Sequence, residues 1–128
     1  MEIQDIETFL VGSPEPHKGG MNFVFVKVTT TDGAVGYGEC PWAEYRGRTL
    51  AALIDELKDA FIVGSSPFNI EDLRRKLYRS NPALHVPGPL QAQAIAGIEL
   101  ACWDLVGKRL EKPVYELLEG GPPRGRRR

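Results

Sequence analysis

The sequence predicts an α+β domain in which a three-stranded antiparallel meander is followed by a bundle of about three helices. Strand-like runs, rich in β-branched and aromatic residues, are confined to the first 40 positions. The three- and four-residue spacing of apolar residues that is typical of helices begins only at Leu50. Between two of the strand-like runs stands Asp32-Gly33, a pair that favours a hairpin because the turn needs positive φ.

Three strands are predicted within the first 39 residues. The first lies in Met1–Val11, the second in Phe23–Thr29 and the third in Val35–Glu39. The connection Gly12–Gly20 is rich in glycine, proline and charged residues and has no periodicity, so we expect a flexible loop there. The meander therefore has one long connection and one tight turn.

Two amphipathic helices follow a second irregular loop, Cys40–Arg48, which carries several large side chains. Thr49 is placed to cap the first of these helices. Its apolar positions recur at three- and four-residue steps and are Leu50, Leu53, Ile54, Leu57 and Phe61. Asn69, with Asp72 three residues further on, resembles a capping box at the start of the second helix, Ile70–Arg79.

The stretch Ala94–Leu118 predicts a helix that is apolar on more than one side. Lys108 and Arg109 stand where a helix C-terminus favours positive charge. Pro113 then begins a second short helix, Val114–Leu118. A helix this apolar must be covered on several sides, so either it is central among the other helices or another domain covers part of it.

Composition and charge argue against several classes of protein. A length of 128 residues fits one domain, and a hydrophobic fraction of 42% is ordinary for a globular protein. No apolar run approaches the roughly 20 residues of a membrane span, and the acidic opening MEIQDIETFL does not resemble a signal peptide. We therefore expect a cytoplasmic protein. Residues 1–123 hold 12 basic and 17 acidic residues, a net charge of −5 that does not favour nucleic-acid binding.

The cysteines, histidines and glycines form no recognisable site. Cys40 and Cys102 are isolated from each other in sequence and are expected to be reduced thiols, with Cys102 in the core. The GxxGxG spacing that begins at Gly33 is not that of a phosphate-binding loop and predicts a hairpin with closely packed glycines. His17 and His85 lie in different loops, without a second ligand at metal-binding spacing.

Three acidic residues admit a chemical or a structural role. Glu39 and Glu44 lie five residues apart near the end of a strand, and they could form an acid–base pair or serve as structural hydrogen-bond acceptors. Asp104, beside Trp103 in a packed helix, is interpreted as holding a neighbouring loop or a nearby cation. We therefore predict neither a catalytic residue nor a metal ligand in this chain.

The stretch that begins at Ala94 closely resembles the signature of the mandelate racemase/muconate lactonizing enzyme group of the enolase superfamily. The resemblance lies in AIAGIELACWDLVGK, residues 94–108, and in PVYELL, residues 113–118. Upstream, a hairpin that ends in Gly36-Tyr37-Gly38-Glu39, then a loop and two helices, follow the family's order. The resemblance covers about residues 1–118 and implies a fold like the enolase N-terminal domain.

In this family, the resemblance implies, the N-terminal domain caps a TIM barrel. The barrel carries the Mg²⁺ carboxylates and the Lys or His bases that remove the proton α to a substrate carboxylate. The cap supplies two loops that close over the substrate. By position, Gly12–Gly20 is the first capping loop and Pro41–Gly47 the second. The side chains expected to reach an anionic substrate are His17, Lys18, Tyr45 and Arg46.

The leading hypothesis is a substrate-capping domain, residues 1–118, that lacks its barrel and is inactive alone, because a TIM barrel needs about 250 residues. The parent enzyme would be a Mg²⁺-dependent lyase or isomerase that acts on a small carboxylate or acid-sugar substrate. Acid-sugar dehydration is the first expectation, with racemisation or cycloisomerisation behind it. The parent is expected to be a homo-oligomer with neither nucleic-acid nor membrane partners.

Residues 119–128 form a Pro/Arg-rich tail that we expect to be disordered or a truncation end. The family usually runs Leu-Leu-Gly-Gly into the barrel, whereas here Glu119 intervenes. Two other functions stay open. One is a stand-alone binding module that uses the exposed barrel-docking face. The other is a nucleic-acid binder that uses Arg124–Arg128.

Overall fold

The computed structural model describes residues 1–12, 22–43, 45–80 and 87–118. One antiparallel sheet has the strand order β1 (Ile3–Gly12), β2 (Asn22–Thr30) and β3 (Val35–Cys40). The helices of these ranges are α1 (Gly47–Leu57), which continues into a π-helical turn (Lys58–Ile62), α2 (Ile70–Arg79), α3 (Gly88–Leu110) and the single turn α4 (Val114–Leu117). The predicted α+β class and the meander are confirmed, with four α-helices where about three were expected.

The central strand β2 divides the sheet into a buried and an outer face. Val24, Val26 and Val28 are fully buried beneath the helices. Between them, Phe25 and Lys27 point to the outer face, where the register places Phe25 beside Phe9 of β1 and Glu39 of β3. All helices in the described part of the chain that contact the sheet therefore share its valine-lined side.

Strand β3 and helix α3 approach each other to backbone contact. A Cβ added to Gly36 would overlap the Ala101 carbonyl oxygen and lie 2.7 Å from the Leu105 Cβ. A Cβ added to Gly38 would overlap the Gly97 carbonyl oxygen. The glycine spacing is thus confirmed as a packing feature, because only residues without a side chain let helix and strand lie this close.

Helix α3 is central in the domain. It packs against β2 and β3 on one side and against α1, α2 and α4 on others. Its buried positions are Gln91, Ala94, Ile95, Gly97, Ile98, Ala101, Cys102, Leu105, Val106 and Gly107. Of the two predicted explanations for its apolar surface, the central position is correct for most of the helix. Leu100 nevertheless stays half exposed, so one flank is uncovered.

The predicted helix starts need three corrections. Helix α1 begins at Gly47, so Thr49 lies inside the first turn and does not cap it. Asn69 does occupy the N-cap position of α2, but its side chain makes no capping hydrogen bond. Helix α3 begins at Gly88 and not near Ala94, with Pro89 in the first turn, where its missing N–H costs no helical hydrogen bond. Across the described ranges, none of the helices has the length and apolarity needed to cross a bilayer.

Candidate functional site

Both predicted capping loops leave the sheet at the same end. Strand β1 ends at Gly12 and β2 begins at Asn22, and these two residues are paired. Strand β3 ends at Cys40, which pairs with Val24 near the start of β2. The attachment points of the two loops are therefore two to three strand residues apart on one edge of the domain, as a shared function over one substrate requires.

Four residues singled out from the sequence lie outside the described residues. They are His17 and Lys18 of the first capping loop, Glu44 of the second and His85 of the α2–α3 connection. The predicted roles of His17 and Lys18 stay predictions, as does the Glu39–Glu44 pair. Tyr45 and Arg46 are the predicted site residues that the structure places.

The second capping loop presents three large side chains to the outside. Trp42 is 79% exposed and Tyr45 82% exposed, and Arg46 beside them is exposed as well. Buried Ala43 anchors the loop between them, and its carbonyl accepts a hydrogen bond from the Arg46 N–H at 3.1 Å. Two aromatic rings and one guanidinium suit a ligand that has apolar C–H faces and a carboxylate, because Arg pairs with carboxylates in bidentate geometry.

Trp42 has left-handed backbone geometry, with φ of 58°. This conformation is uncommon for a bulky residue, and such strain persists where the surroundings hold it. The Trp42 carbonyl accepts a hydrogen bond of 2.9 Å from the side-chain amide of Gln93 on α3. The other amide atom, the Gln93 Oε1, is buried without a hydrogen-bond partner among the described residues.

The sequence analysis noted that the loop carries several large side chains but assigned no role to Trp42. It missed Gln93. The one signal for Gln93 is its polarity within an otherwise apolar stretch, which does not tell where its amide points. The second capping loop also contacts β1 at its end. A Cβ added to Gly47 would lie only 2.8 Å from the Leu10 Cδ2, so the two residues are closely packed. Because Gly47 has no side chain, the end of the loop can pack closely against β1 near its C-terminal end.

A second feature is a shallow groove of about 630 Å³ between β3 and the uncovered flank of α3. We call it the docking groove; its lining residues are Phe25, Tyr37, Gly38, Glu39, Leu100, Trp103, Asp104, Lys108 and Val114. Tyr37 is 52% exposed and Leu100 is 51% exposed, and both present apolar surface to the groove. An exposed apolar surface rimmed by polar groups is typical of an interface.

Asp104 ties α3 to the free edge of the sheet. Its carboxylate accepts a hydrogen bond of 2.8 Å from the Tyr37 backbone N–H and one of 2.6 Å from the Lys108 ammonium. The ammonium also lies 5.2 Å from the centre of the Tyr37 ring. The interpretation of Asp104 as the holder of a cation is confirmed, and the backbone it holds belongs to a strand and not to a loop.

The two cysteines are buried free thiols, as predicted. Burial raises the pKa of the Cys40 thiol to about 11, and the Glu39 charge adds to this. Burial raises the pKa of the Cys102 thiol to about 12, with a smaller contribution from Glu99. Neither thiol has the low pKa of a nucleophile, so both act as core residues.

The described residues do not bring together three or more His, Cys, Asp or Glu side chains in a way that could hold a metal ion. The Mg²⁺ that the family resemblance implies thus finds no ligand set in this part of the chain, and no chemical step is assigned to a metal here.

Comparison with known proteins gives a consistent result. The family model described as "Mandelate racemase / muconate lactonizing enzyme, N-terminal domain" matches residues 15–119. A D-galactonate dehydratase of Ralstonia pickettii (strain 12J) is 45% identical over 98 residues, which are 77% of this chain and 25% of that protein. The D-galactonate dehydratase of Klebsiella pneumoniae (strain 342) is 43% identical over the same length. The chain spans about a quarter of the length of these relatives.

Solved structures agree with the sequence comparisons. The mandelate racemase/muconate lactonizing enzyme from Jannaschia sp. CCS1 superposes with a TM-score of 0.84 at 32% identity, covering 96% of this chain and 31% of that one. The corresponding enzyme from Sulfitobacter sp. gives a TM-score of 0.82 at 37% identity, covering 94% and 30%. In both cases the likeness extends over nearly all of this chain and under a third of the other.

Proposed function

The chain belongs to the mandelate racemase/muconate lactonizing enzyme family and corresponds to its N-terminal domain, and from this premise we propose that it caps the substrate site of an acid-sugar dehydratase. In this proposal residues 1–118 bind and enclose the substrate, and the proton abstraction is carried out by groups that this chain does not supply. The chain alone is therefore expected to be inactive.

The observation that carries the proposal is the second capping loop. Trp42, Tyr45 and Arg46 stand exposed at one end of the sheet, on a loop held by Ala43 and Gln93. The attachment points of the first capping loop lie at the same end. A ligand bound there would meet side chains from both loops at once.

The chemistry of the exposed side chains fits an acid sugar. The Arg46 guanidinium would pair with the substrate carboxylate, and the rings of Trp42 and Tyr45 would lie against C–H faces and keep water out. His17 and Lys18, predicted from the sequence, would add donors to the anion. The relatives named D-galactonate dehydratase support a sugar acid as the substrate class. The Mg²⁺ of the complete enzyme would be held by groups other than the described residues, and no step is derived through it.

We further propose that the docking groove receives the remainder of the enzyme. Val114 of α4 forms part of its lining, and the described chain ends four residues later at Leu118. The end of the described ranges thus lies close to an exposed apolar surface. The two buried free thiols suit the reducing cytoplasm, which we propose as the location of the enzyme.

A domain replacement tests the proposal. Residues 1–118 would replace the N-terminal domain of the Ralstonia pickettii relative, and the chimera would be assayed with Mg²⁺ and a panel of sugar acids. We expect dehydration of at least one sugar acid by the chimera and none by the 128-residue chain alone. In the chimera, Arg46→Ala should raise KM on the order of tenfold, because a charged hydrogen bond to the substrate is lost.

The matched control is Arg48→Ala, which removes an exposed guanidinium two residues away on α1. It should leave KM within about twofold, since a surface charge at a distance is screened. A chimera that folds, by circular dichroism and sedimentation, yet dehydrates no sugar acid in the panel would contradict the proposal.

The docking groove also favours a second candidate, a stand-alone binding module that uses the same apolar surface. Sedimentation and apolar-dye binding of the 128-residue chain test the exposed surface that both candidates need, and the chimera assay discriminates between the two. A chain that recruits a macromolecular partner while the chimera stays inactive would favour the binding module. Arg124–Arg128 lie outside the described ranges, so the nucleic-acid-binding alternative stays a prediction.

A further inference from the structure

We propose that Gln93 is a positioning residue that holds the second capping loop in its binding conformation. Its Nε2 donates a 2.9 Å hydrogen bond to the carbonyl of Trp42, the residue with left-handed backbone geometry. Gln93 belongs to α3, which has ten buried residues, and so ties the loop to the central helix of the domain. The importance of this contact for catalysis depends on the proposed capping function, whereas its effect on loop order does not.

The need for such a contact follows from the backbone of the loop. An L-residue with φ near +58° has its Cβ close to the following carbonyl, so an isolated tryptophan avoids this conformation. Trp42 is also 79% exposed, so burial of its ring does not compensate for the strain. Beyond the buried Ala43, the side-chain contact that the structure gives this turn is the amide of Gln93.

The hydrogen bonding of the two Gln93 amide atoms indicates whether this side chain positions the loop or stabilises the domain. One atom donates to the loop, whereas the buried Oε1 has no hydrogen-bond partner among the described residues. Burying an unpaired acceptor destabilises a protein, so the side chain is poorly suited to a purely stabilising role. We infer that the residue serves the geometry of the loop more than the stability of the domain.

Gln91 offers a matched comparison two residues earlier on the same helix. Its Nε2 donates to the Leu77 carbonyl at 2.6 Å and to the Ser80 Oγ at 2.5 Å, so it joins α3 to the end of α2. The two glutamines thus have the same side chain on the same helix. Gln91 links two helices of the core, whereas Gln93 links α3 to the loop.

The test compares Gln93→Met with Gln91→Met in the 128-residue chain. Two quantities are measured: thermal stability, and loop order from the amide exchange rate of Arg46 and acrylamide quenching of Trp42. Trp103, the other tryptophan, is replaced by Phe in all variants used for fluorescence. The Arg46 amide is informative because it closes the turn onto the Ala43 carbonyl.

Gln93→Met should leave the unfolding temperature unchanged or raise it, because it removes, together with the donor, a buried acceptor that has no partner among the described residues. Its Arg46 exchange rate should rise roughly fivefold, the effect of losing one ordinary hydrogen bond. Gln91→Met should lower the unfolding temperature and leave both loop readouts unchanged. Gln93→Glu, which keeps the size of the side chain but places a carboxylate at the carbonyl, should loosen the loop at least as much as Gln93→Met.

Two results would overturn the inference. One is a Gln93→Met variant with unchanged Arg46 exchange and Trp42 quenching. The other is a variant whose loop order and unfolding temperature fall together, which would make Gln93 an ordinary stabilising residue. Neither result depends on enzymatic turnover, so the proposed capping function can stand or fall separately in the chimera assay.

Discussion

Two regions of the molecule meet at Cys40: the contact between β3 and α3, and the second capping loop. They differ in the interactions that fix their geometry. At the contact, Gly36 and Gly38 bring two backbones together over a buried, close-packed surface. In the loop, exposed side chains stand on a strained turn that is tied to α3 through one side-chain amide. The contact tolerates almost no added volume, whereas the loop has room for change but few bonds to keep its shape.

This difference separates the contacts that specify the fold from the bonds that shape the proposed ligand-binding loop. Packing determines the position of α3 through many small contacts, so no single polar group there is decisive. The loop geometry depends on a few directional bonds, and one substitution can alter it without unfolding the domain. Function can therefore change at the loop while the fold persists at the contact.

The largest effect is expected at the contact. Gly38→Ala should lower the free energy of unfolding by about 4 kcal/mol, above the usual cost of overpacking, because the added Cβ meets the backbone of α3. Gly64→Ala is the control: Gly64 has φ of +83° and no neighbour near an added Cβ, so only about 1 kcal/mol of backbone strain is expected there. Urea unfolding of both variants measures the difference. A loss for Gly38→Ala no larger than that for Gly64→Ala would show that α3 and β3 can move apart at little cost, and that close packing does not require glycine at the contact.

A second substitution pair compares two faces of α3. Ile98 is completely buried, and Ile98→Ala should cost about 3 kcal/mol through lost burial and a cavity. Leu100, two residues later, faces the docking groove, and Leu100→Ala should change the free energy of unfolding by less than about 0.5 kcal/mol. Urea unfolding gives both values, and apolar-dye binding should fall for Leu100→Ala alone. A large loss of stability with Leu100→Ala would mean that the groove is part of the core.

The sequence predicts the contact far better than it predicts the loop. The glycine spacing after Asp32-Gly33 and the apolar pattern of α3 are local signals, and both indicated close packing. The start of α1 was predicted wrongly because glycine is a poor helix former, and the close approach of Leu10 of β1 to Gly47 cannot be read from the local sequence. The bond from Gln93 to Trp42 joins residues 51 positions apart, and nothing in either local pattern encodes it.

Asp104 combines features of the two regions, because it makes directional hydrogen bonds, as the loop does, at the edge of the packed contact. Asp104→Ala should cost about 1 kcal/mol, since the Tyr37 N–H and the Lys108 ammonium lose an acceptor that is partly exposed to solvent. Asp104→Asn keeps a carbonyl oxygen for Tyr37 and should cost about half as much. Urea unfolding and the amide exchange rate of Tyr37 are the measurements. An unchanged Tyr37 exchange rate in Asp104→Ala would show that this hydrogen bond does not protect the strand edge.

The smallest effect is expected far from both regions, at the ion pair of Asp5 with Lys58, whose charged atoms lie 2.5 Å apart. The hydrogen bond from Lys58 holds the pKa of the Asp5 carboxyl below its usual range, against a smaller opposing effect of burial. A lowered pKa means that the folded state binds this proton less readily than the unfolded state does. The stabilisation is therefore complete above about pH 4, the unfolded pKa, and is lost as the pH falls through the folded pKa.

Asp5→Asn should accordingly lower the free energy of unfolding at pH 7 by only about 0.5 kcal/mol, because the Asp5 side chain is 41% exposed and solvent screens the pair. The difference between the variant and the parent chain should shrink as the pH falls below about 4, because the parent carboxyl is then progressively protonated in the folded state. Glu56→Gln, an exposed carboxyl on α1, controls for the loss of one negative charge. Urea midpoints measured from pH 7 to pH 2 decide the matter. A difference between Asp5→Asn and the parent that does not shrink as the pH falls would assign the effect to packing at the start of β1 and not to charge.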